Sequence, residues 1–285
     1  MNLDLLQADQ VEQVFARHGA QSVTMSDAGD TPVLEPPPGE APLWADTKIS
    51  ALFPAEIDLD ALCDDLRQSF GVDRLPAAEI ETLEDRDWER EWLRDFQPMR
   101  FGERLWVSPL HMPVVQPDAI VVRLDPGLAF GTGTHETTAL CLEWLERQDL
   151  QGKRILDVGC GSVILSIAAL KLGAKSAHAI DIDPQAITAS KQNATVNGVI
   201  ERLELSADGR DFAGEYDIVV ANILAGTLIA MAGDLSKRTM HGGLLALSGI
   251  LSGQVDDVCS AFMRWITLEP AEQRNDWVCI SGTRH

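Results

Sequence analysis

The sequence lacks most of the features that place a protein quickly. No apolar run comes near the ~20 residues that a membrane-spanning helix needs. Met1 to Gln10 carries acids and no basic stretch, which argues against a signal peptide and for a cytoplasmic protein. The five cysteines, Cys63, Cys141, Cys160, Cys259 and Cys279, are odd in number and form no C-x-x-C pair. That argues against a disulfide framework or a cysteine-zinc site and predicts reduced, mostly buried thiols. No G-x-x-x-x-G-K-[ST] loop for a nucleoside triphosphate occurs. Positive charge is also scarce: 23 Lys and Arg stand against 44 Asp and Glu, a net charge of -21. Within residues 1–100, 22 acids face 8 bases, so the excess is concentrated there. Such a surface repels nucleic acid and anionic membrane, and it would steer a basic partner inward.

What is present is enough apolar material, 45% of 285 residues, for one large domain or two ordinary ones. Residues 1–83 read as a small α+β domain. Asn2 to Leu6, Gln21 to Met25, Lys48 to Phe53 and Ile80 to Leu83 have strand character, and Pro36 to Gly39 reads as a loop. Ala8 to His18 and Leu59 to Phe70 have helical spacing and end at Gly19 and Gly71. The order β-α-β-β-α-β predicts a ferredoxin-like split unit. Residues 84–104 read as a linker helix and connector, with Trp88, Trp92 and Phe96 on one stripe. Residues 105–285 form the larger domain, entered by strands at Leu105 to Val107 and Ile120 to Leu124.

From Thr137 onward the pattern alternates. Helices are expected at Thr138 to Arg147, Ile164 to Leu172 and Pro184 to Asn197. Strands are expected at Arg154 to Val158, Ala177 to Ile182, Leu203 to Ser206, Tyr216 to Ala221 and Leu244 to Ser248. This predicts an α/β fold with a doubly wound, mostly parallel sheet. A helix at Val255 to Ile266 and two strands, near Thr267 to Glu269 and Trp277 to Ser281, suggest an antiparallel pair at the edge.

The first strand of that sheet runs into Asp157-Val158-Gly159-Cys160-Gly161-Ser162. A glycine turn between a parallel strand and a helix lets backbone approach a ligand closely, at the carboxyl end of the sheet. Asp181 ends the next strand, where its carboxylate can accept both hydroxyls of a ribose. Ile164 stands where a dinucleotide fingerprint needs its third glycine, so a nicotinamide site is not expected. Asp157-x-Gly159-x-Gly161 resembles the first motif of the class I S-adenosylmethionine-dependent methyltransferases, whose cofactor has no pyrophosphate. That motif usually has glycine where this chain has Val163. If the turn needs positive φ there, a β-branched residue is strained by ~1–2 kcal/mol, and Val163→Gly is expected to tighten cofactor binding.

Longer stretches narrow the resemblance. Asp125-Pro126-Gly127-Leu128-Ala129-Phe130-Gly131-Thr132-Gly133-Thr134-His135 with Thr137-Thr138, then Asn222-Ile223-Leu224-Ala225-Gly226, resemble the bacterial ribosomal protein L11 methyltransferase family. So do Leu247-Ser248-Gly249-Ile250-Leu251, Trp88-Glu89-Arg90-Glu91-Trp92 and Phe101-Gly102-x-Arg104-Leu105-Trp106. The likeness runs from about Thr31 to the C-terminus. It implies trimethylation of amino groups, on lysine side chains and an N-terminal amine, with an N-terminal domain that recognises the substrate and a linker that lets the catalytic domain reorient. It implies cofactor contacts at Thr138, Gly159, Asp181 and Asn222, beside Asp157 and Gly161 of the motif, and a monomeric protein acting on a basic protein substrate.

Asn222 is the expected catalytic residue. An asparagine at a strand end resembles the Asn-Pro-Pro-Tyr motif of amine methyltransferases, where the side-chain carbonyl accepts a hydrogen bond from the amine. His135-Glu136 lacks the second histidine of H-E-x-x-H, so no metal is expected, and His135 is expected to shape its loop. Glu136 replaces a proline common in the family, and Asp208 is a candidate for the adenine amino group. Two alternative functions keep the same fold. One is a lysine methyltransferase of another protein, such as an electron-transfer flavoprotein subunit. The other is a cofactor-binding module inactivated at Val163. A nucleic-acid methyltransferase fits the acidic surface poorly.

Overall fold

The computed structural model describes residues 7–29, 44, 46–83, 97–124, 133–208 and 214–285. The expected strand at Asn2 to Leu6, the loop at Pro36 to Gly39 and the linker helix at Glu84 to Phe96 lie outside these residues. The chain divides into two compact units, residues 1–86 and 87–285, each described by itself. No helix among the described residues is long and apolar enough to cross a membrane.

In the first unit, helix α1 (Ala8–Arg17) buries Val11, Val14 and Phe15, the residues at helical spacing. Helix α2 (Leu59–Phe70) begins where the Asp58 side chain accepts the Ala61 N–H, and it buries Leu62 and Leu66. Strands β1 (Ser22–Asp27) and β2 (Thr47–Leu52) pair antiparallel, and Ile49 joins the two helices in a small core. Asp65 of α2 holds Arg17 and His18 at the end of α1, at 3.1 and 3.0 Å. The strand expected at Ile80 to Leu83 is absent. That segment has no regular element and no ladder partner among the described residues, and Ile80 and Leu83 are exposed. Alternating side chains form a strand only where a neighbouring edge takes up the backbone groups. The described residues therefore hold two of the four strands that a ferredoxin-like unit requires.

The second unit is built on one large sheet. Strands β6 (Arg154–Val158), β7 (Ser176–Ile180), β8 (Leu203–Ser206), β9 (Tyr216–Asn222) and β10 (Thr239–Leu251) run parallel. Strands β11 (Ile266–Leu268) and β12 (Glu272–Arg274) each pair antiparallel with β13 (Trp277–Arg284). The order is β11-β13-β10-β9-β6-β7-β8. The expected antiparallel pair, β11 and β13, closes one edge of the sheet: β13 lies between β10 and β11, and β11 is the edge strand. A short loop between two strands predicts their pairing but says nothing about which of them meets β10.

Helices α3 (Glu136–Glu146), α4 (Ile164–Lys171) and α5 (Pro184–Val196) follow the sequence pattern. α6 (Ala225–Arg238) was not expected, although Leu228, Ala232 and Leu235 bury at helical spacing. α7 (Val255–Phe262) precedes β11. One core joins α3 and α4 to Ile155, Ile218 and Ala246, and the other joins α6 and α7 to Leu156, Val219 and Leu247. Alternate residues of the same strands thus feed opposite faces. A three-stranded sheet precedes the large one. In it β3 (Met99–Phe101) pairs antiparallel with β4 (Leu105–Pro109), which pairs parallel with β5 (Ile120–Leu124). β3 was not read from the sequence; its Phe101 is buried in the core of α3 and α4.

Candidate active site

The strand order reverses at β6, which has β7 on one side and β9 on the other. Ligands in open α/β sheets bind at such a switch, beyond the carboxyl ends of the strands. Gly159 leaves β6 there and Asn222 ends β9 there, so the switch brings together residues 63 apart in sequence.

The turn after β6 is tightly held. The N–H groups of Gly159 and Cys160 both donate to the Ile180 carbonyl, at 2.8 and 3.1 Å. The Gly161 N–H donates to Asp181 Oδ2 at 2.8 Å, and the Asp183 N–H donates to Asp181 Oδ1 at 3.0 Å. Asp181 lies one residue past β7, half-buried, and is thereby aimed along the turn. Gly159 has no substitute: a Cβ there would stand 2.2 Å from Cγ2 of Ile223. Val163 has φ 61° and ψ 23°, left-handed, and is fully buried. The helix does not start early to absorb the change; α4 begins at Ile164.

Asp157 is nearly fully buried. Its Oδ2 accepts the Ser166 N–H at 3.1 Å and the Ser166 Oγ–H at 2.7 Å, which ties β6 to the first turn of α4. Among the described residues its Oδ1 has no hydrogen-bond partner. Burial pushes its pKa up to about 6, against the two bonds from Ser166.

Asn222 meets Thr138, 84 residues earlier: its Nδ2 donates to Thr138 Oγ1 at 3.2 Å. Thr138 is buried in the first turn of α3. His135 caps that helix, its Nδ1 2.9 Å from Thr137 Oγ1 and accepting the Thr137 N–H, with its ring edge-on to Trp277 at 4.9 Å. Glu136 is the first residue of α3, where an acid suits the helix dipole as proline suits the fixed φ. Its carboxylate accepts from Asn275 at 3.1 Å. Its own N–H, then Asn275, hold its pKa below the usual value. The residues 125–132 that precede this corner lie outside the described residues. Asp208 follows β8, its N–H donating to Ser206 Oγ at 3.2 Å. Among the described residues no group of three or more metal-ligating side chains is assembled.

Some contributors carried no role in the sequence reading. Gly249, inside the Leu-Ser-Gly-Ile-Leu stretch, has φ 83°, and a Cβ on it would stand 2.3 Å from the Ile223 carbonyl oxygen. The Ile223 N–H donates to the Ser248 carbonyl at 3.2 Å. Ile223 is thus gripped between the glycine of the turn and the glycine of β10. A glycine inside an apolar strand is a signal of close backbone approach that sequence alone offers.

With this geometry in place, comparison with known proteins is decisive. The sequence profile of the family described as Ribosomal protein L11 methyltransferase (PrmA) matches residues 1–285. The chain belongs to this family. A Klebsiella pneumoniae ribosomal protein L11 methyltransferase is 52% identical over 279 residues, covering 98% of this chain and 95% of that one. One from Pasteurella multocida is 51% identical over 277 residues, covering 97% and 94%. A crystal structure of a ribosomal protein L11 methylase from Lactobacillus delbrueckii subsp. bulgaricus superposes with a TM-score of 0.62 at 33% identity, over 66% of this chain and 99% of that one. The family is one of S-adenosylmethionine-dependent protein methyltransferases, which settles the fold as the class I methyltransferase sheet. The residues at the switch fit that cofactor: Gly159 and Gly161 take positive φ in the turn, Asp181 offers a carboxylate beside it, and among the described residues the buried Asp157 Oδ1 has no partner.

Proposed function

We propose that this chain methylates ribosomal protein L11 on amino groups, lysine side chains and the N-terminal amine, adding three methyl groups to each. S-adenosylmethionine supplies an electrophilic methyl group when bound. Gly159 and Gly161 let backbone lie against it, Asp181 takes the ribose hydroxyls, and Thr138 and Asp157 support the site from behind. Asn222 is the catalytic residue. The observation that carries this reading is the bond from Asn222 Nδ2 to Thr138. It spends one end of the amide on α3 and leaves the carbonyl end to face an incoming amine.

A lysine amine is protonated at neutral pH, with a reference pKa of about 10.4, and has no lone pair to attack with. Desolvation at the end of the sheet favours its neutral form. In the first two transfers the Asn222 carbonyl accepts an N–H of the neutral amine and aims the lone pair; in the third the tertiary amine has no N–H to offer and is held by contact alone. Positioning of this kind supplies most of the rate, since no strong base is needed. The protein works in the cytoplasm as a monomer. Residues 1–83 recognise the substrate, residues 84–104 connect, and residues 105–285 catalyse. The net charge of -21 draws in a basic substrate and disfavours nucleic acid.

Purified ribosomal protein L11, incubated with the chain and cofactor and weighed by mass spectrometry, tests the reading. Mass increments of three methyl groups on mapped amines are expected. Asn222→Ala should reduce the rate by about a hundredfold while cofactor affinity stays within about threefold. An unmodified L11 in the presence of wild-type chain and bound cofactor would overturn the assignment.

A further inference from the structure

Positive φ at Val163 needs a cause outside the residue. A β-branched side chain resists this conformation, and such strain persists only where the surroundings over-determine the backbone. Peptide groups are planar and trans, so a residue whose two flanking planes are held has its φ and ψ set. The plane after Val163 is held by α4, where the Ile167 N–H donates to the Val163 carbonyl at 3.0 Å. The plane before it is held at both edges. The Val163 N–H donates to the Cys160 carbonyl at 2.7 Å. The Ser162 carbonyl accepts from Asn193 Nδ2 at 3.0 Å. One peptide earlier, the Gly161 carbonyl accepts from Ser190 Oγ at 2.8 Å.

Ser190 and Asn193 stand three residues apart on α5, and Asn197 follows four later, on the same side of the helix. All three are buried polar side chains, Ser190 completely. Asn197 anchors the stripe at its far end: its Oδ1 accepts the Arg123 N–H at 2.8 Å and its Nδ2 donates to the Arg123 carbonyl at 2.6 Å, on β5. α5 is thereby fixed to the small sheet and reaches from it to two successive carbonyls of the turn. Buried polar side chains need partners, and Ser190 and Asn193 find theirs in the turn that holds Val163.

We propose that Asn193, assisted by Ser190, is a positioning residue for the cofactor: it holds the Ser162–Val163 peptide and so keeps Val163 in a conformation that its own side chain opposes. The proposal rests on the reading of residues 159–163 as the cofactor turn. It also gives the departure from glycine at Val163 a physical basis, because a tethered turn does not need glycine's freedom. The tether should matter while residue 163 is valine and become dispensable in Val163→Gly.

A double-mutant cycle tests this, with cofactor affinity from calorimetry and amide exchange of residues 160–164 in the cofactor-free protein. Asn193→Ala should weaken cofactor binding about tenfold, the ratio that one net hydrogen bond supports, and should speed exchange across the turn. Adding Val163→Gly should bring affinity back to within about threefold of Val163→Gly alone. Ser190→Ala carries the same cycle if Asn193→Ala does not fold. A tenfold loss that survives in the double variant, or an Asn193→Ala protein with unchanged affinity and exchange, overturns the proposal. The exchange readout needs no cofactor. It therefore separates failure of the tether from failure of the site, which Asp181→Ala with unaltered affinity would reveal.

Discussion

Replacing Val163 with glycine sets two large terms against each other. Positive φ costs an ordinary L-residue roughly 1–2 kcal/mol, which Val163→Gly releases. The valine side chain is fully buried in the core of α3 and α4, and losing it costs about 1.5–3 kcal/mol. Glycine also frees the unfolded chain, a further cost of roughly 0.5–1 kcal/mol. Burial and chain freedom outweigh strain, by about 1.5 kcal/mol at the centre of these ranges. At ~2–4 °C per kcal/mol for a unit of this size, calorimetry should show Tm lowered by about 3–6 °C. From the motif alone, relief of strain would be expected to tighten cofactor binding. The structure puts the strain in a turn whose conformation is held by the chain itself, through the tethers at the Gly161 and Ser162 carbonyls. Affinity should therefore change by less than about threefold. A raised Tm would refute the reasoning, because strain would then outweigh packing.

Asp181→Ala removes a charge-assisted contact worth about 1.5–3 kcal/mol, so cofactor binding in calorimetry should weaken tenfold or more. Unchanged affinity would move the site elsewhere. Asp157 is buried with its pKa raised from 3.8 to about 6, so the folded chain holds a proton that the unfolded chain has lost between those values. Stability from this group is present below pH ~4 and lost as pH rises toward ~6, about 2–3 kcal/mol in all. In urea melts, Asp157→Asn should gain on the wild type by that order between pH 4 and pH 7; a constant difference would mean that Asp157 does not titrate there. If acidic steering operates, association with ribosomal protein L11 should slow as salt rises in stopped flow, and a flat rate would remove the charge argument alone.

The central parallel strands β6 and β9 were legible because both of their faces are buried, so Ile218 to Ala221 reads as a continuous apolar run and Ile155 to Val158 as one broken only by Asp157. The end of α2 was legible through Gly71, which takes φ 63°, and the start of α5 through Pro184 at its first turn. Pairing between distant segments was not. Nothing within Trp277 to Arg284 says that it will lie between β10 and β11, and nothing within Ile80 to Leu83 says that no edge awaits it. α6 was overlooked although Leu228, Ala232 and Leu235 carry its spacing. At the site, residue types pointed to Gly159, Asp181 and Asn222, while partners such as Ser166, Ser190 and Asn193 became visible only with distances. A serine or asparagine inside a helix pattern reads the same whether it faces water or a carbonyl.

The two halves of the site are not independent. The glycine turn after β6 and the asparagine that ends β9 meet at one residue, Ile223. Its side chain fills the space that a Cβ on Gly159 would need, and its carbonyl fills the space that a Cβ on Gly249 would need. Its N–H is bonded to Ser248, and the residue before it is Asn222. Interiors are close-packed and transmit small displacements rather than absorb them. A shift of the glycine turn therefore presses on Ile223, and Ile223 moves with Asn222. Methyl transfer needs donor and acceptor aligned to a fraction of an ångström, and a shared contact holds that alignment better than two separately anchored loops. This is why Leu-Ser-Gly-Ile-Leu belongs with the site. Gly249 works by having no side chain, and what it admits is the backbone that carries Asn222.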